Sequence, residues 1–304
     1  MVSFIFLAAN SYAQREKIGE AVTYYDTTWY DRGFDFHIGG GVFFGSKINA
    51  LYYNGSKENE CNLNYLLTNQ YRMEEIKRAV IQIYPHVSQS DVLGYREEDL
   101  NWNPRYNVSA LISLGIRWKI RKNWGVSLSY AFSRMTVTNR LLLTYTSVSG
   151  NNVRAPELTL FGKEDRSMID LSLSYLFSQT HKIVKPFVEV GVQFNYQKLK
   201  SFDAILLDDK KNEVLKLSLI DRYGAPYVPG VDQYDNGYIF GGPGVGFSFS
   251  AGLKFVVNKF VSIDPAFYGC YSYLNLKALG DRQFSFNYGA MVRVVMNDFF
   301  FQNR

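Results

Sequence analysis

The residues best placed to do chemistry are charged side chains and one histidine within stretches that alternate between apolar and polar positions. Arg117 is typical, since it lies between Ile116 and Trp118. Alternation puts successive side chains on opposite faces of a strand. Charges that share one enclosed face must pair, because an isolated buried ion costs several kcal/mol. The set consists of Asp35, His37, Arg117, Lys119, Glu189, Lys254, Asp264 and Arg293.

We interpret these residues as a structural ion-pair network inside a narrow barrel, with a gate or proton path through His37 as the alternative. The other two histidines, His86 and His181, fall in an expected loop and an expected turn. No histidine forms an obvious group with a serine and a carboxylate, so we expect no catalytic residues. Three histidines and two distant cysteines supply no metal-ligand spacing, and we expect neither a metal site nor a cofactor.

The element that carries these charges is clearest between residues 105 and 134. Apolar side chains occupy alternate positions from Tyr106 to Ile120, and again from Trp124 to Phe132. The intervening residues are mostly small or polar, and the short segment 121–123 separates the two runs. Two alternating runs joined by a tight polar turn predict a β-hairpin. A bulky apolar face opposite a narrow polar one is typical of a strand with lipid on one side and a polar lumen on the other.

The same pattern recurs along the chain and predicts eight strands. Short turns near 121–123, 178–185 and 257–259 alternate with longer connections at 47–104, 135–166, 198–242 and 274–283. A hairpin that prolongs the wall into water is expected within 135–166, and another hairpin around 208–212. A helix is expected from Tyr71 to Ile83, and a bulge at Pro265. We predict an all-β fold, an eight-stranded antiparallel transmembrane β-barrel with long extracellular loops and short periplasmic turns. The strands are expected at 33–44, 105–120, 124–134, 167–177, 187–197, 244–256, 261–273 and 284–296.

Aromatic residues near the short turns predict a girdle at the periplasmic interface. Aromatic residues make up 16% of the 304 residues, with 23 Tyr and 23 Phe. Bulky side chains also point inward by phase, at Leu111, Leu176, Phe187 and Tyr268. Because eight strands leave an interior that side chains just fill, a wide aqueous channel is not expected. The girdle residues are Trp118, Trp124, Phe177, Phe255 and Phe260.

The start of the chain predicts export, and the barrel pattern predicts the bacterial outer membrane as the destination. Residues 1–13 have a short apolar core and end Ser11-Tyr12-Ala13, which is typical of a signal peptide, though without a basic start. We expect 14–32 to be a periplasmic lead-in and 33–304 to be the barrel, with both termini periplasmic. No apolar run reaches the 18–20 residues, approximately, that a spanning helix needs. Cys61 and Cys270 are expected to be unpaired.

Charges in the long connections are mixed in sign, which disfavours a simple surface for polyanions. The net charge of +5 without a dense basic run also argues against nucleic acid as a partner. Tyrosines in these connections are of a type common at interfaces, so a protein- or glycan-binding surface is one interpretation of these loops, and ordinary solvated loops are the other. Outer-membrane lipid, lipopolysaccharide or phospholipid, is an expected partner. The tyrosines are Tyr52, Tyr53, Tyr223, Tyr227, Tyr234 and Tyr238.

Across residues 33–296 the chain resembles the small eight-stranded outer-membrane barrels, the OmpA-type or PorT-like outer membrane protein beta-barrel family. The resemblance is carried by the Ala13-Gln14 signal end, the first strand from Phe34 to Gly41, and Gly125 to Tyr130. A last strand that alternates aromatic and aliphatic residues completes it. Such barrels usually end on an aromatic residue that the insertion machinery reads, whereas this chain ends Phe301-Gln302-Asn303-Arg304. The resemblance implies architecture rather than one activity, because the family includes membrane anchors, adhesins and secretion accessories.

Several functions are consistent with this fold. The leading hypothesis is a non-enzymatic barrel that acts through its surface loops, in adhesion or binding or in an envelope complex such as a secretion accessory. A narrow gated channel of the porin type is the alternative, which conductance would distinguish. A lipid-modifying enzyme fits less well, because no histidine forms an obvious group with a serine and a carboxylate. A soluble lipocalin-like binder also fits less well, because a lipocalin turns its bulky face inward.

Overall fold

The computed structural model describes residues 33–297, apart from 60, 86, 89, 122, 147–151, 178–182, 209, 221–240, 259 and 277–282. Three helices and a short 3-10 turn (Leu51–Tyr53) lie between the first two strands: α1 (Lys47–Ala50), α2 (Asn64–Thr68) and α3 (Gln70–Ile83). A second 3-10 turn, Glu97–Asp99, follows the second strand. The ten strands are β1 (Gly33–Phe44), β2 (Val92–Gly94), β3 (Ser109–Lys119), β4 (Trp124–Thr146), β5 (Asn152–Leu176), β6 (Val184–Leu207), β7 (Glu213–Ser218), β8 (Gly241–Val256), β9 (Val261–Tyr273) and β10 (Phe284–Met296).

Eight of the strands close into a ring. Each pairs antiparallel with both neighbours in the order β1, β3, β4, β5, β6, β8, β9, β10, and the pairs from Phe36↔Met296 to Phe44↔Tyr288 join β10 back to β1. Closure pairs the backbone N–H and C=O groups that an open sheet edge would leave without hydrogen-bond partners. The predicted eight-stranded antiparallel barrel is confirmed.

The faces of the strands also follow the predicted phase. Outward side chains are apolar and exposed, as at Val190 (62%) and Ile112 (60%), whereas inward ones such as Ser113 are buried. One predicted outward residue is wrong: Tyr106 is only 8% exposed. The regular strand β3 begins at Ser109 rather than 105. An isolated bridge from Tyr106 to Val137 lies outside it, and the Tyr106 side chain points inward.

The largest difference from the prediction is the length of three strands. The hairpin expected within 135–166 is confirmed, but it is not a separate insertion: β4 and β5 of the ring continue into it as one ladder that reaches Thr146↔Asn152. These strands have 23 and 25 residues, and β6 has 24. The expected hairpin around 208–212 is confirmed as the β6–β7 connection. The parts of β4, β5 and β6 that continue beyond the ring form a projecting sheet with β7, here called the extension. The short strand β2 pairs beside β4 at its edge.

The connection between β1 and β3 is folded rather than an open surface loop. Its residues 46–104, here called the plug, pack against the inner face of the extension. Tyr52 and Tyr53, expected at an interface, are fully buried, and Tyr53 lies edge-on to Phe202 with the ring centroids 5.3 Å apart. The predicted helix is confirmed as α3, whose first turn is capped by the Asn69 side chain. No helix in the described part of the chain is long and apolar enough to cross a membrane.

Two local predictions have opposite outcomes. The bulge expected at Pro265 is wrong, because its pairing with Val292 keeps the register of the whole β9–β10 ladder. Register shifts occur instead in the extension, including one in β6 between the partners of Lys163 and Glu164. The two cysteines, Cys61 and Cys270, are both buried and form no disulfide, as expected.

Candidate functional site

The predicted charged residues all lie on inward positions towards the end of the barrel that carries the short turns. They come from six different strands, β1, β3, β6, β8, β9 and β10. Because adjacent strands run in opposite directions, a residue early in β1 lies level with residues late in β3 and β10. All eight side chains are buried in the lumen.

Glu189 lies at the centre of the network. Its Oε1 accepts a hydrogen bond from Arg117 Nη2 at 2.6 Å, and its Oε2 accepts one from Arg293 Nη1 at 2.7 Å. Both guanidinium groups also lie over the ring of Phe187, at 4.9 Å for Arg293 and 5.7 Å for Arg117. One carboxylate therefore holds two cations, and an aromatic face gives both a further favourable contact.

A second pair of cations meets at Asp35, nearer the end of the lumen. Lys119 Nζ lies 3.0 Å from Asp35 Oδ1, and Lys254 Nζ lies 3.6 Å from Oδ2. Lys254 also donates to Asn297 Oδ1 at 2.9 Å. Asp264 belongs to the Glu189 group, since its Oδ2 lies 3.8 Å from Arg117 Nη1. The structure thus brings seven of the predicted residues into two groups, which are neighbours because Asp35 pairs with Arg117 across β1 and β3.

His37, the eighth, is 1% exposed and makes no ion pair in the described structure. Neither of its ring nitrogens has a hydrogen-bond partner among the described residues. It lines a cavity of about 30 Å³, together with Arg293, Glu189 and several serines. A space of this size holds about two waters, which would satisfy the imidazole.

Further along the lumen lies a polar layer that the sequence analysis missed. Gln193 Nε2 donates to Asp170 Oδ1 at 3.0 Å, and Tyr268 OH donates to Asp170 Oδ2 at 3.1 Å. Tyr268 was expected only as an inward bulky residue. Its phase was correct, but the pattern gave no sign that its hydroxyl meets a carboxylate three strands along the ring.

Another missed layer closes the lumen beneath the plug. Glu164 accepts hydrogen bonds from Tyr53 OH at 2.5 Å, Gln197 Nε2 at 2.7 Å and Arg166 Nε at 2.7 Å. Arg166 also donates to Asn287 Oδ1 at 2.9 Å. A signal was present, because Glu164 and Arg166 continue the inward phase of Asp170. The layer was missed because 135–166 was interpreted as an insertion.

The charges inside the barrel balance. Among the buried side chains that point into the lumen, five are acidic and five are basic. Such a set needs no counterion, which explains how ten ionisable groups can share so narrow a space. The acids are Asp35, Glu164, Asp170, Glu189 and Asp264; the bases are Arg117, Lys119, Arg166, Lys254 and Arg293.

The predicted girdle residues all lie on the outer surface at the short-turn end. Trp118 stacks on Phe34 with centroids 6.1 Å apart, and Trp124 contacts Tyr175 edge-on at 4.8 Å. Phe177 packs against Tyr175 in turn. Trp118, Trp124, Phe177, Phe255 and Phe260 are each between 37% and 51% exposed.

Chemically, this interior can hold charge and water but offers little room for a substrate. Two cavities in the described lumen measure about 30 and 10 Å³. No group of three His, Cys, Asp or Glu side chains that could hold a metal ion occurs in the part of the chain that the structure describes. His86 and His181 lie outside the described residues, as do residues 1–32 and Tyr223, Tyr227, Tyr234 and Tyr238.

Similar solved structures are β-barrels of low sequence identity. The N-terminal β-barrel domain of Pseudomonas aeruginosa OprF is 9% identical with a TM-score of 0.30, covering 88% of this chain and 98% of that one. Ail, the attachment invasion locus protein of Yersinia pestis, is 12% identical with a TM-score of 0.31, covering 87% and 97%. The outer membrane protein OprG of Pseudomonas aeruginosa is 11% identical with a TM-score of 0.33, covering 88% and 94%. No protein-family model matches the chain, and no curated protein matches it.

Proposed function

We propose that this protein is an integral outer-membrane β-barrel whose lumen is closed and whose extension is its working surface. The observation that carries the proposal is the arrangement of its faces. Apolar side chains cover the outside of all eight ring strands, while charges and serines fill the inside. In water this distribution would leave a continuous exposed apolar surface, which monomeric soluble proteins avoid.

The height of the apolar surface fits a membrane. On β4 the outward apolar residues run from Trp124 to Phe132, eight residue steps. At ~3.3 Å per residue this is about 26 Å along the strand. A tilt of roughly 40° reduces it to about 20 Å across the membrane, close to the ~25 Å band of outer-membrane barrels. The soluble lipocalin alternative would require the opposite faces.

The orientation follows from the connections. Outer-membrane barrels place short turns in the periplasm and long connections outside the cell. On this basis the turn after Lys119, the start of β1 and the end of β10 are periplasmic, and the extension and plug are extracellular. Membership of the OmpA-type or PorT-like group is part of this proposal, as is a periplasmic location for both termini.

The proposed activity is non-enzymatic binding, in adhesion or as part of an envelope complex such as a secretion accessory. The plug supports the extension from inside, so the outward face of β4–β7 is a rigid platform for a protein or glycan partner. Outward residues such as Thr138 and Arg140 are exposed there. A binding role needs such a fixed surface but no open lumen.

Two measurements test the proposal. Refolded protein should insert into phospholipid vesicles and show heat-modifiable migration on gels; a water-soluble monomer without detergent would contradict the membrane assignment. A photo-crosslinker at Thr138, on the outer face, should capture a defined partner in intact cells. The matched control is Val137, the buried neighbour, and capture that is equal from both positions would contradict a binding surface on the extension.

A narrow gated channel is the second candidate, and the His37 cavity favours it. An imidazole without protein partners, next to a water-sized space, is a group on which a gate or a proton path could depend. Planar bilayers at pH 5 and pH 8 test this role. Conductance steps that disappear in His37→Phe would support a channel; silence of the wild-type protein at both pH values would exclude it.

A further inference from the structure

The long-loop edge of the apolar surface carries a cluster of positive charge on one half of the barrel. Beyond the outward aromatic residues Phe132 and Tyr196, the next outward positions of β4 and β6 are the basic residues Arg134 and Lys198, whereas β5 has Asp165 at this level and the basic Lys163 at its next outward position. Lys200, the extra residue at the register shift of β6, adds a further cation. Here called the basic row, the cluster consists of Arg105, Arg134, Lys163, Lys198 and Lys200.

These residues are brought together by strand pairing. Arg134 pairs with Asp165, and Asp165 pairs in turn with Lys198. Lys163 lies one step further along β5, opposite Ser201. Arg105 lies further out on the chain segment beside β4, level with Thr138, because the adjacent Tyr106 bridges to Val137. The five cations come from separate parts of the sequence, so the mixed charge of each connection conceals the cluster.

The basic row has one carboxylate, Asp165, which organises it. Arg134 Nε and Nη2 donate to Asp165 at 2.7 and 3.2 Å, and Lys200 Nζ lies 3.5 Å away. The hydrogen bond from Arg134 lowers the pKa of Asp165, so this carboxylate stays ionised. Five cations and one carboxylate leave a net charge of +4. The Asp165 side chain is 14% exposed while that of Arg134 is 52% exposed, so the cations form the accessible surface.

The positive charge lies on this half of the ring, between the levels of Arg134 and Thr138. Further out on the extension charges are paired, Arg140 with Glu157 at 3.0 Å and Lys216 with Asp203 at 3.3 Å. On β8, β9, β10 and β1 the outward strand positions carry no lysine or arginine. There the surface stays aromatic to the edge, as where Phe44 stacks on Tyr288.

We propose that the basic row is a binding site for the phosphate groups of a phosphorylated lipid headgroup in the outer leaflet. The inference rests on the proposed membrane orientation, which puts the row at headgroup depth directly above the apolar belt. Clustered Lys and Arg at a membrane surface attract anionic lipid, and an arginine donates paired hydrogen bonds to phosphate. The aromatic residues beneath the row suit the interface between acyl chains and headgroups.

Native mass spectrometry of the detergent-solubilised full chain tests this site, with bisphosphorylated lipid A as the probe. The test variant is R134Q/K163Q/K198Q, and the control is K57Q/R78Q/K210Q, which removes the same charge from exposed positions in the plug and the β6–β7 turn. At roughly fivefold per cation, the test variant should bind lipid A on the order of 100-fold more weakly than wild type. The control variant should bind lipid A within about twofold of wild type. Wild-type protein should bind dephosphorylated lipid A as weakly as the test variant binds lipid A.

Three outcomes would overturn the site. Equal binding by the test and control variants would show that the row is not involved. Equal binding of phosphorylated and dephosphorylated lipid would show that phosphate is not recognised. Displacement of the lipid by inorganic phosphate or a sulfated oligosaccharide at equal phosphate or sulfate concentration would indicate a general anion surface. Heat-modifiable migration of each variant shows that it is folded, and K163Q alone provides a milder variant.

The same experiments separate this inference from the proposed function. If the wild-type protein fails to insert into phosphatidylcholine vesicles, the membrane assignment itself is wrong. If it inserts but shows no preference for phosphorylated lipid, only the basic row fails as a site.

Discussion

At the scale of single residues, the lumen is held by carboxylates such as Glu189 and Glu164 that have more than one partner. Glu189 accepts from two arginines and Glu164 from three donors. Sharing matters because a buried ion is tolerated only when its charge and its hydrogen-bonding capacity are both satisfied. Removing one member therefore leaves its partner buried with an uncompensated charge.

Arg293→Ala tests this directly. The substitution removes one of the two hydrogen bonds to Glu189 and a contact with Phe187. We expect a loss of about 3–5 kcal/mol in the free energy of unfolding, the usual effect of breaking a buried pair. Urea unfolding in detergent micelles measures it. Arg140→Ala, which breaks an exposed pair with Glu157, is the control and should change stability little; equal effects of the two variants would contradict the buried network.

His37→Lys tests the charge balance of the lumen. The five acids and five bases balance only while residue 37 is neutral. A lysine there adds an unmatched cation beside Arg293 and should destabilise the barrel by several kcal/mol. His37→Gln keeps polar atoms towards the cavity without charge and should be much milder. Thermal unfolding of both variants in the same detergent gives the comparison, and similar melting temperatures would show that the cavity accommodates an extra charge.

At the scale of elements, the plug and β5 fit together through a missing side chain. A Cβ at Gly162 would overlap the ring of Tyr53, so this position of β5 has no side chain where the plug sits. Asn139 of β4 fixes the same segment, since its Nδ2 donates to Tyr53 O at 2.8 Å. The long strands and the plug thus depend on each other: the strands provide an apolar inner face, and the plug covers it.

Gly162→Val should therefore displace the plug without opening the ring. The added side chain occupies the place of the Tyr53 ring and breaks its hydrogen bond to Glu164. We expect faster proteolysis within 46–104, while the ring keeps its heat-modifiable migration. Gly94→Val is the control, because a Cβ there meets nothing within 4 Å. If both variants are cut at the wild-type rate, the plug is not seated through this contact.

At the scale of the whole molecule, the lumen is closed at two levels. The plug covers the long-loop end, and the ion pairs around Glu189 and Asp35 fill the short-turn end. Since these closures are built from different strands and loops, either one alone should block ions. The barrel is thereby a support for the extension, which agrees with the binding role proposed above.

A variant without the plug tests the second closure. Phe43 pairs with Ser109, so residues 46–107 can be replaced by a short hairpin loop that joins β1 to β3. We expect the variant to fold in detergent and to remain silent in planar bilayers. Stable conductance steps from the plug-deleted protein, absent from wild type, would show that the plug alone closes the lumen.

Much of the ring could be predicted because alternation is a local property. In a strand with lipid on one side and a polar lumen on the other, apolar and polar residues must alternate. The outward position of Val190 and the inward position of Glu189 can therefore be predicted without reference to distant residues. The inward charges were identified for the same reason. In the extension β4 still alternates, but its apolar face is reversed: Met135, Val137 and Leu141 point inward and are buried, whereas the outward positions are mostly polar. The apolar outer face that marks a membrane strand ends at Phe132, and β4 and β5 were therefore interpreted as ending too early.

The sequence by itself determined the barrel, its strand number, the faces of its strands and the charges in its lumen. Only the tertiary structure decided that the first long connection is a buried plug, that Glu164 and Arg166 form a second polar layer, and that five scattered cations make one basic row. The reason is physical. Periodicity records which side of a strand is wet, whereas burial of a loop and proximity of charges depend on which strands pair and at which register.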